Sequence, residues 1–102
     1  MSVSDAQTLD DVFRALGDGT RRAIFETLGR QPGATTSQLV VTVPHLSRWA
    51  VMKHLQVLRD AGLVQSLPRG RQRCHFRVER TLDEAVAWLA HEAGRTTQDG
   101  TT

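Results

Sequence analysis

Several residue types are scarce in this chain of 102 residues, and each scarcity excludes a class of protein. A single cysteine excludes the internal disulfide framework of small secreted domains. No apolar run approaches the roughly 18 residues of a membrane-spanning helix, and the first residues lack the basic and apolar regions of a secretory signal. These absences predict a cytoplasmic protein that has no membrane partner.

Arrangements typical of catalysis are missing as well. The sequence contains no Ser/His/Asp constellation, no glycine-rich phosphate loop and no suitably spaced pair of carboxylates. The lone thiol, Cys74, would need a positioned base to act as a nucleophile, and the adjacent His75 falls on the opposite face of a strand. We therefore predict that the protein is not an enzyme. Cys74 is either a redox switch or a small buried hydrophobic residue, and the habit of free cysteine favours burial.

Basic charge is concentrated in one part of the chain. The formal net charge is only +2, yet residues 47–77 carry seven basic side chains and one acidic one, whereas the remainder carries six basic and ten acidic groups. Such segregation is typical of a surface that binds nucleic acid. The alternative is a solvated surface that happens to be basic.

Apolar spacing predicts five helices in one domain. The domain spans 9–93, between a flexible N-terminus (1–8) and a disordered polar tail (94–102). The predicted helices cover about 9–16, 20–29, 36–43, 46–61 and 82–93. Arg21 and Arg22 stand near the start of the second helix, where they oppose its dipole. A phosphate or a nearby carboxylate would offset them, and an internal salt bridge that fixes the turn is an equal alternative.

The fourth helix carries the clearest pattern. Val51, Leu55 and Leu58 form one apolar face, Ser47 can cap the first turn, and Gly62 suits the left-handed position after the end. A short helix, a turn and a longer capped helix make a helix-turn-helix, whose second helix, here about 47–61, enters the major groove of DNA. The opposite face is basic and is predicted to be exposed. It carries Arg48, Trp49, Ala50, Lys53 and His54.

The segment after this helix, about 63–78, has the pattern of a β-hairpin. Its second strand alternates strictly, with Cys74, Phe76 and Val78 on one face and Arg73, His75 and Arg77 on the other. A turn containing Gly70 places arginines at the tip, as in the wing of a winged helix. The predicted fold is therefore mainly α with a two-stranded β-hairpin wing (α+β), in the order α1-α2-α3-α4-β-β-α5.

This fold predicts which side chains touch DNA. Arg48 and Lys53 can reach guanine acceptors, and Ala50 or Trp49 can lie against a thymine methyl group. Trp49 has the alternative of burial against the preceding helix, His54 that of a structural histidine in place of a phosphate contact, and Met52 is expected to pack in the core. The wing arginines would touch phosphates or a minor groove. The complete predicted DNA-binding set is Thr36, Gln38, Ser47, Arg48, Trp49, Ala50, Lys53, His54, Arg69, Arg71 and Arg73.

The first and last helices carry more apolar surface than so small a core can cover, which predicts a homodimer. A two-fold axis would place two recognition helices roughly 34–36 Å apart, one turn of DNA, and would match an inverted-repeat operator. The alternative is that both helices close the core of a monomer. The predicted dimerisation set is Leu9, Val12, Phe13, Leu16, Leu82, Val86, Trp88 and Leu89.

Three segments together resemble the ArsR/SmtB-type transcriptional regulators: 12–22 (VFRALGDGTRR), 46–64 (LSRWAVMKHLQVLRDAGLV) and the wing segment 69–76. The resemblance covers roughly residues 9–90. It implies a dimeric winged-helix repressor, associated with the nucleoid when bound to double-stranded DNA, that leaves DNA when an inducer or a modification acts. The sequence does not identify the inducer.

Metal-sensing members of that family carry a cysteine pair on the helix before the recognition helix, or paired ligands on the last helix. Residues 37–43 contain no thiol, and the last helix lacks the two-histidine spacing. We therefore predict no metal and no cofactor. The alternative function is a winged-helix module whose basic face binds an acidic protein instead of DNA, since fold does not determine function.

Overall fold

The computed structural model describes the backbone of residues 3–100 and the side chains of residues 8–95. This part of the chain forms five helices and three strands. The helices are α1 (Val3–Leu16), α2 (Gly19–Arg30), α3 (Thr36–Thr42), α4 (Arg48–Asp60) and α5 (Glu79–Gly100). The strands are β1 (Ala34–Thr35), β2 (Val64–Arg69) and β3 (Gln72–Arg77).

The sheet has one strand more than predicted. β2 and β3 form the expected antiparallel hairpin, which we call the wing, and β1 pairs with the free edge of β3 to give the order β1-β3-β2. Gly33, at φ +84°, makes the turn into β1, and its N–H donates to the carbonyl of His75 (2.9 Å). A strand of two residues is too short to show alternation in the sequence, which is why the prediction missed it.

The core lies where α1, α2, α3 and α4 meet the base of the wing. Val51, Leu55 and Leu58 of α4 are all buried there, as their spacing predicts. Ser47 is the N-cap of α4, and its hydroxyl accepts from the N–H of Ala50 (3.1 Å). After the C-cap Ala61, Gly62 has φ +76° and gives the left-handed exit expected past the end of the helix. The ends of α4 are thus those that the sequence indicates.

Arg21 and Arg22 satisfy the end of the preceding helix. Arg21 donates to the carbonyls of Ala15 (2.7 Å) and Arg14 (3.2 Å), and Arg22 donates to that of Leu16 (2.6 Å). The last carbonyls of a helix have no partner within the helix, so guanidinium groups cap them well. Neither arginine takes part in an ion pair among the side chains of residues 8–95, so the alternative of an internal salt bridge is not what fixes the turn. Backbone oxygens of α1 hold both arginines.

Asp18 caps the start of α2. Its Oδ1 accepts from the N–H of Arg21 (3.1 Å), and this hydrogen bond lowers the pKa of the Asp18 carboxyl below its ordinary value. The charged carboxylate also complements the positive end of the helix dipole. The turn between α1 and α2 is therefore fixed by complementary caps on both helices.

The two terminal helices are longer than predicted. α1 starts at Val3 and α5 runs from Glu79 to Gly100, so residues 3–8 and 94–100 are helical where flexible segments were predicted. Once a helix has formed, each added residue gains a hydrogen bond for one more fixed residue, so a polar sequence can extend it. The rest of those two predicted segments, 1–2 and 101–102, lies outside the described residues.

Candidate DNA-binding face

One side of α4 is exposed along most of its length. Trp49, Met52, Lys53 and Gln56 follow a spacing of three and four residues and line one shallow surface depression together with Arg59. We call these four residues the α4 face. The Trp49 side chain is 68% exposed, so the alternative of burial against α3 is wrong. Lys53 Nζ lies 5.2 Å from the centroid of the Trp49 ring, a cation–π contact that orders both side chains.

Met52 was expected in the core, yet it is 52% exposed. It follows Val51 by about 100° around the helix, which carries it off the buried stripe and onto the side of Trp49. Met52 and Gln56 are therefore members of the exposed face that the sequence reasoning missed. The i, i+3, i+4, i+7 spacing of positions 49, 52, 53 and 56 could have revealed them.

The start of α4 is tied to α3. Arg48 donates to the Ser37 hydroxyl (3.1 Å) while its side chain stays exposed. The Ser47 hydroxyl serves as the helix cap, and Ala50 is half-buried. Of these predicted DNA-binding residues, Arg48 therefore presents the largest polar group to solvent.

The two predicted residues on α3 have structural tasks. Gln38 Oε1 accepts from the N–H of Thr35 (2.8 Å), and Thr35 Oγ1 accepts from the N–H of Gln38 (3.2 Å). This capping box starts α3. Thr36 Oγ1 lies 2.8 Å from Nε2 of His75. Gln38 remains exposed, whereas Thr36 is half-buried.

His54 points toward the α1–α2 turn. Its Nδ1 lies 3.4 Å from a guanidinium nitrogen of Arg21. Because a guanidinium can only donate, Nδ1 is the acceptor in this contact. The structure thus brings His54 to the capped end of α1 and gives it the partner that the structural-histidine alternative required.

The wing carries the remaining predicted residues. Arg69, Arg71 and Arg73 are all exposed, and Gly70 at the tip adopts φ +63°. Among the side chains of residues 8–95, none of these three arginines takes part in an ion pair, and neither do Arg48 and Lys53. Their charge is therefore available to an external anion.

On the face of β3 opposite Cys74, two of the three side chains are covered by other parts of the protein. His75 does point away from Cys74, but it is only 1% exposed because α3 and α4 cover it. Arg77 lies 4.1 Å above the Phe25 ring and pairs with Glu79 (3.0 Å). Only Arg73 of the three outward residues is exposed. Cys74 is buried, which agrees with the favoured interpretation of that thiol.

The predicted dimerisation set separates into two groups. Val12 is fully buried in the core, and the half-buried Leu9, Leu16 and Leu82 pack against that core, so these four residues help to close the core of the protomer. The other four are at least 38% exposed. This second group, which we call the apolar patch, consists of Phe13, Val86, Trp88 and Leu89.

Within the apolar patch, the rings of Phe13 and Trp88 meet edge to face at a centroid distance of 5.7 Å.

No group of three or more His, Cys, Asp or Glu side chains that could hold a metal ion occurs among the described residues. Nor does any helix in that part of the chain combine the length and apolar character needed to cross a bilayer.

Comparison with known proteins places this geometry in a family. A family model described as a helix-turn-helix domain matches residues 16–66. The chain is 31% identical to an ArsR-like transcriptional regulator from Rhodococcus sp. RHA1, whose solved structure superposes with a TM-score of 0.82 over 97% of this chain and 92% of that one. The chain belongs to the ArsR family of winged helix-turn-helix regulators.

Two sequence relatives agree with the ArsR assignment. An uncharacterised HTH-type transcriptional regulator of Bacillus subtilis, YuzN, is 41% identical over 69 residues, which are 63% of this chain and 75% of that protein. The HTH-type transcriptional regulator Rv2034 of Mycobacterium tuberculosis is 42% identical over 73 residues, 72% of this chain and 66% of that protein. These relatives are regulators and not enzymes, which confirms the prediction from the sequence. The protein is a DNA-binding regulator of transcription.

Proposed function

We propose that this ArsR-family protein is a homodimeric repressor that grips an inverted-repeat operator. The α4 face and Arg48 enter the major groove, and the wing lies on flanking DNA. The observation that carries this proposal is the exposed α4 face, together with wing arginines that form no ion pair with any side chain of the described residues 8–95. An operator covered in this way is inaccessible to the transcription machinery. The protein would act in the cytoplasm, associated with the nucleoid while it is bound to DNA.

The charges divide between two tasks. Arg69, Arg71 and Arg73 supply phosphate contacts, which give affinity without sequence preference. Lys53 and Arg48 reach base edges, for which guanine N7 and O6 are suitable acceptors. Arg48 holds Ser37 by one hydrogen bond between exposed groups, so turning toward a base costs it little.

A second copy of the chain is the proposed occupant of the apolar patch. Beyond Ala85, which is buried, every described residue of α5 up to Arg95 is exposed except Glu92, so the protomer leaves most of this part of the helix uncovered apart from the contact between Trp88 and Phe13. An isolated helical segment of this length is marginal in water unless a neighbour packs on it. A two-fold axis through Trp88 and Leu89 would supply that neighbour and cover Phe13 as well.

The exposure of Trp49 and Met52 also favours a second candidate function. Trp, Met and Arg are enriched at protein–protein interfaces, and the two apolar side chains are 68% and 52% exposed. The α4 face would then bind an acidic protein in place of DNA. The experiment has to distinguish this alternative from binding to DNA.

The test is a titration of the purified protein against fragments selected from the source genome and against random duplexes, each at two salt concentrations. The proposal expects selective binding to the genomic fragments and an affinity that falls steeply with salt. A monomer that binds neither duplex at low salt would overturn it. Analytical ultracentrifugation of the same sample measures the oligomeric state.

A further inference from the structure

One buried polar side chain stands where the wing meets the helix-turn-helix. His75 of β3 is 1% exposed and lies among α3, α4 and β2. A buried ring nitrogen that lacks a partner is costly, so histidines in such places are normally hydrogen-bonded on both sides. His75 is bonded on both sides, and its two partners lie on different elements.

Three hydrogen bonds form a continuous chain through this histidine. Arg59, in the last turn of α4, donates to Ser66 Oγ of β2 (3.1 Å), Ser66 Oγ lies 2.7 Å from His75 Nδ1, and His75 Nε2 lies 2.8 Å from Thr36 Oγ1 at the start of α3. The chain therefore joins both helices of the helix-turn-helix to both strands of the wing.

Both ring nitrogens of His75 face hydroxyl groups. The Arg59 guanidinium can only donate, so Ser66 Oγ accepts from it and keeps its hydroxyl hydrogen and a second lone pair for Nδ1. Because a hydroxyl can donate or accept, a neutral His75 keeps both hydrogen bonds with its proton on either ring nitrogen. Desolvation, with further contributions from Arg59 and Arg73, lowers the pKa of His75 to about 4, which keeps the ring in this neutral form near neutral pH.

We propose that His75 is a positioning residue that fixes the angle of the wing against the recognition helix through Ser66 and Thr36, and so sets the contribution of the wing to DNA binding. The inference rests on the proposed function, in which the wing tip touches flanking DNA. Arg69 and Arg71 lie several residues beyond the network on an exposed hairpin, so a small rotation at its base displaces the tip by more. None of the four residues of the network needs to touch DNA for this effect.

The first measurement concerns the free protein. Hydrogen exchange of the wing amides (64–77) is compared among wild type, His75→Phe, Ser66→Ala and Thr36→Val. We expect exchange in the wing to rise roughly two- to tenfold while amides of α2 keep their protection, because each variant loses a hydrogen bond at one junction. Thr42→Val is the matched control, since the Thr42 hydroxyl bonds only within α3, to the Leu39 carbonyl (2.7 Å). Unchanged wing exchange in the network variants would overturn the proposal.

The second measurement uses DNA. Arg71→Ala is made in wild type and in Thr36→Val, and binding to a mixed-sequence duplex is measured over a range of salt. We expect Arg71→Ala to weaken binding and lower the salt slope in wild type, and to do so less in Thr36→Val, where the tip is no longer held in place. Ser66→Ala repeats the cycle from the other side of His75 in case one variant folds poorly.

The outcomes separate the two hypotheses. Equal effects of Arg71→Ala in both backgrounds, with a loosened wing, would overturn the role of His75 in DNA binding. A wild-type protein that ignores duplexes at low salt would overturn the proposed function instead. The exchange data would still decide whether His75 holds the wing.

Discussion

The buried His75 makes stability depend on pH in a range where most carboxylates stay charged. Its pKa is lowered from the ordinary 6.5 to about 4 in the folded protein. Between these values the unfolded chain binds a proton that the folded protein excludes, so stability falls as the pH drops through 6.5 and levels off below about 4. Above 6.5 the ring is neutral in both states and contributes no penalty.

The size of the effect follows from those two pKa values. Lowering the pH from 7 to 5 should reduce the free energy of unfolding by about 2 kcal/mol through this residue alone, and complete titration should cost about 3 kcal/mol. Screening of the exposed Arg73 by solvent makes both figures upper values. For a domain of this size, about 2 kcal/mol is a substantial part of the total stability.

The assay is urea unfolding of wild type and His75→Gln at pH 7 and pH 5, at one protein concentration so that any dimerisation is held constant. Glutamine does not titrate, and its amide can still donate to Thr36. The other three histidines, His45, His54 and His91, occur in both proteins, so their contributions cancel. We expect the stability difference between the two proteins to shrink by about 2 kcal/mol at pH 5. An equal difference in the free energy of unfolding between the two proteins at pH 7 and pH 5 would refute the view that the fold excludes a proton from His75.

Three further predictions concern the DNA-binding face, the apolar patch and the α1–α2 turn. Lys53→Ala should weaken specific DNA binding by about 1–3 kcal/mol and relax base preference, whereas Arg71→Ala should weaken binding to all duplexes and lower the salt slope by about 1, both measured by fluorescence anisotropy. Leu89→Glu should shift the sedimentation coefficient to that of a monomer without loss of helix content, and an unchanged dimer would place the interface elsewhere. Arg21→Met removes two carbonyl caps and the His54 contact, so urea unfolding should show a loss of about 1–3 kcal/mol, with Arg22→Met as a milder comparison.

Local patterns predicted the helix-turn-helix well because its determinants are local. Ser47 as the cap, Gly62 as the exit and the buried spacing of Val51 and Leu55 depend on neighbours within a few residues. The wing hairpin was predicted for the same reason, from alternation and a turn. The fold class and the family could therefore be reached from the sequence.

The failures involve partners that are distant in the chain. β1 exists because Gly33 turns the chain back onto His75, more than forty residues later, and no local pattern indicates that pairing. The burial of His75 depends on Thr36 and Ser66, which alternation along β3 alone cannot reveal. Tertiary contacts decided these outcomes, as they commonly do for short strands and for polar groups in a core.

Arg21 contacts both helices that carry the proposed surfaces, the apolar patch and the α4 face. It caps the last carbonyls of α1, the helix that carries Phe13 of the apolar patch, and its guanidinium also reaches His54 on α4, the helix that carries the α4 face. In a dimer built on the apolar patch, this short path of side-chain contacts would connect the dimer interface to each recognition helix. It would therefore help to fix the distance between the two recognition helices. The spacing of half-sites on DNA is a geometric property of the dimer, roughly 34–36 Å. Weaker contacts at Arg21 would make the distance between the two recognition helices less well defined. The caps at the α1–α2 turn, which look like details of helix termination, are for that reason the contacts on which operator spacing would depend.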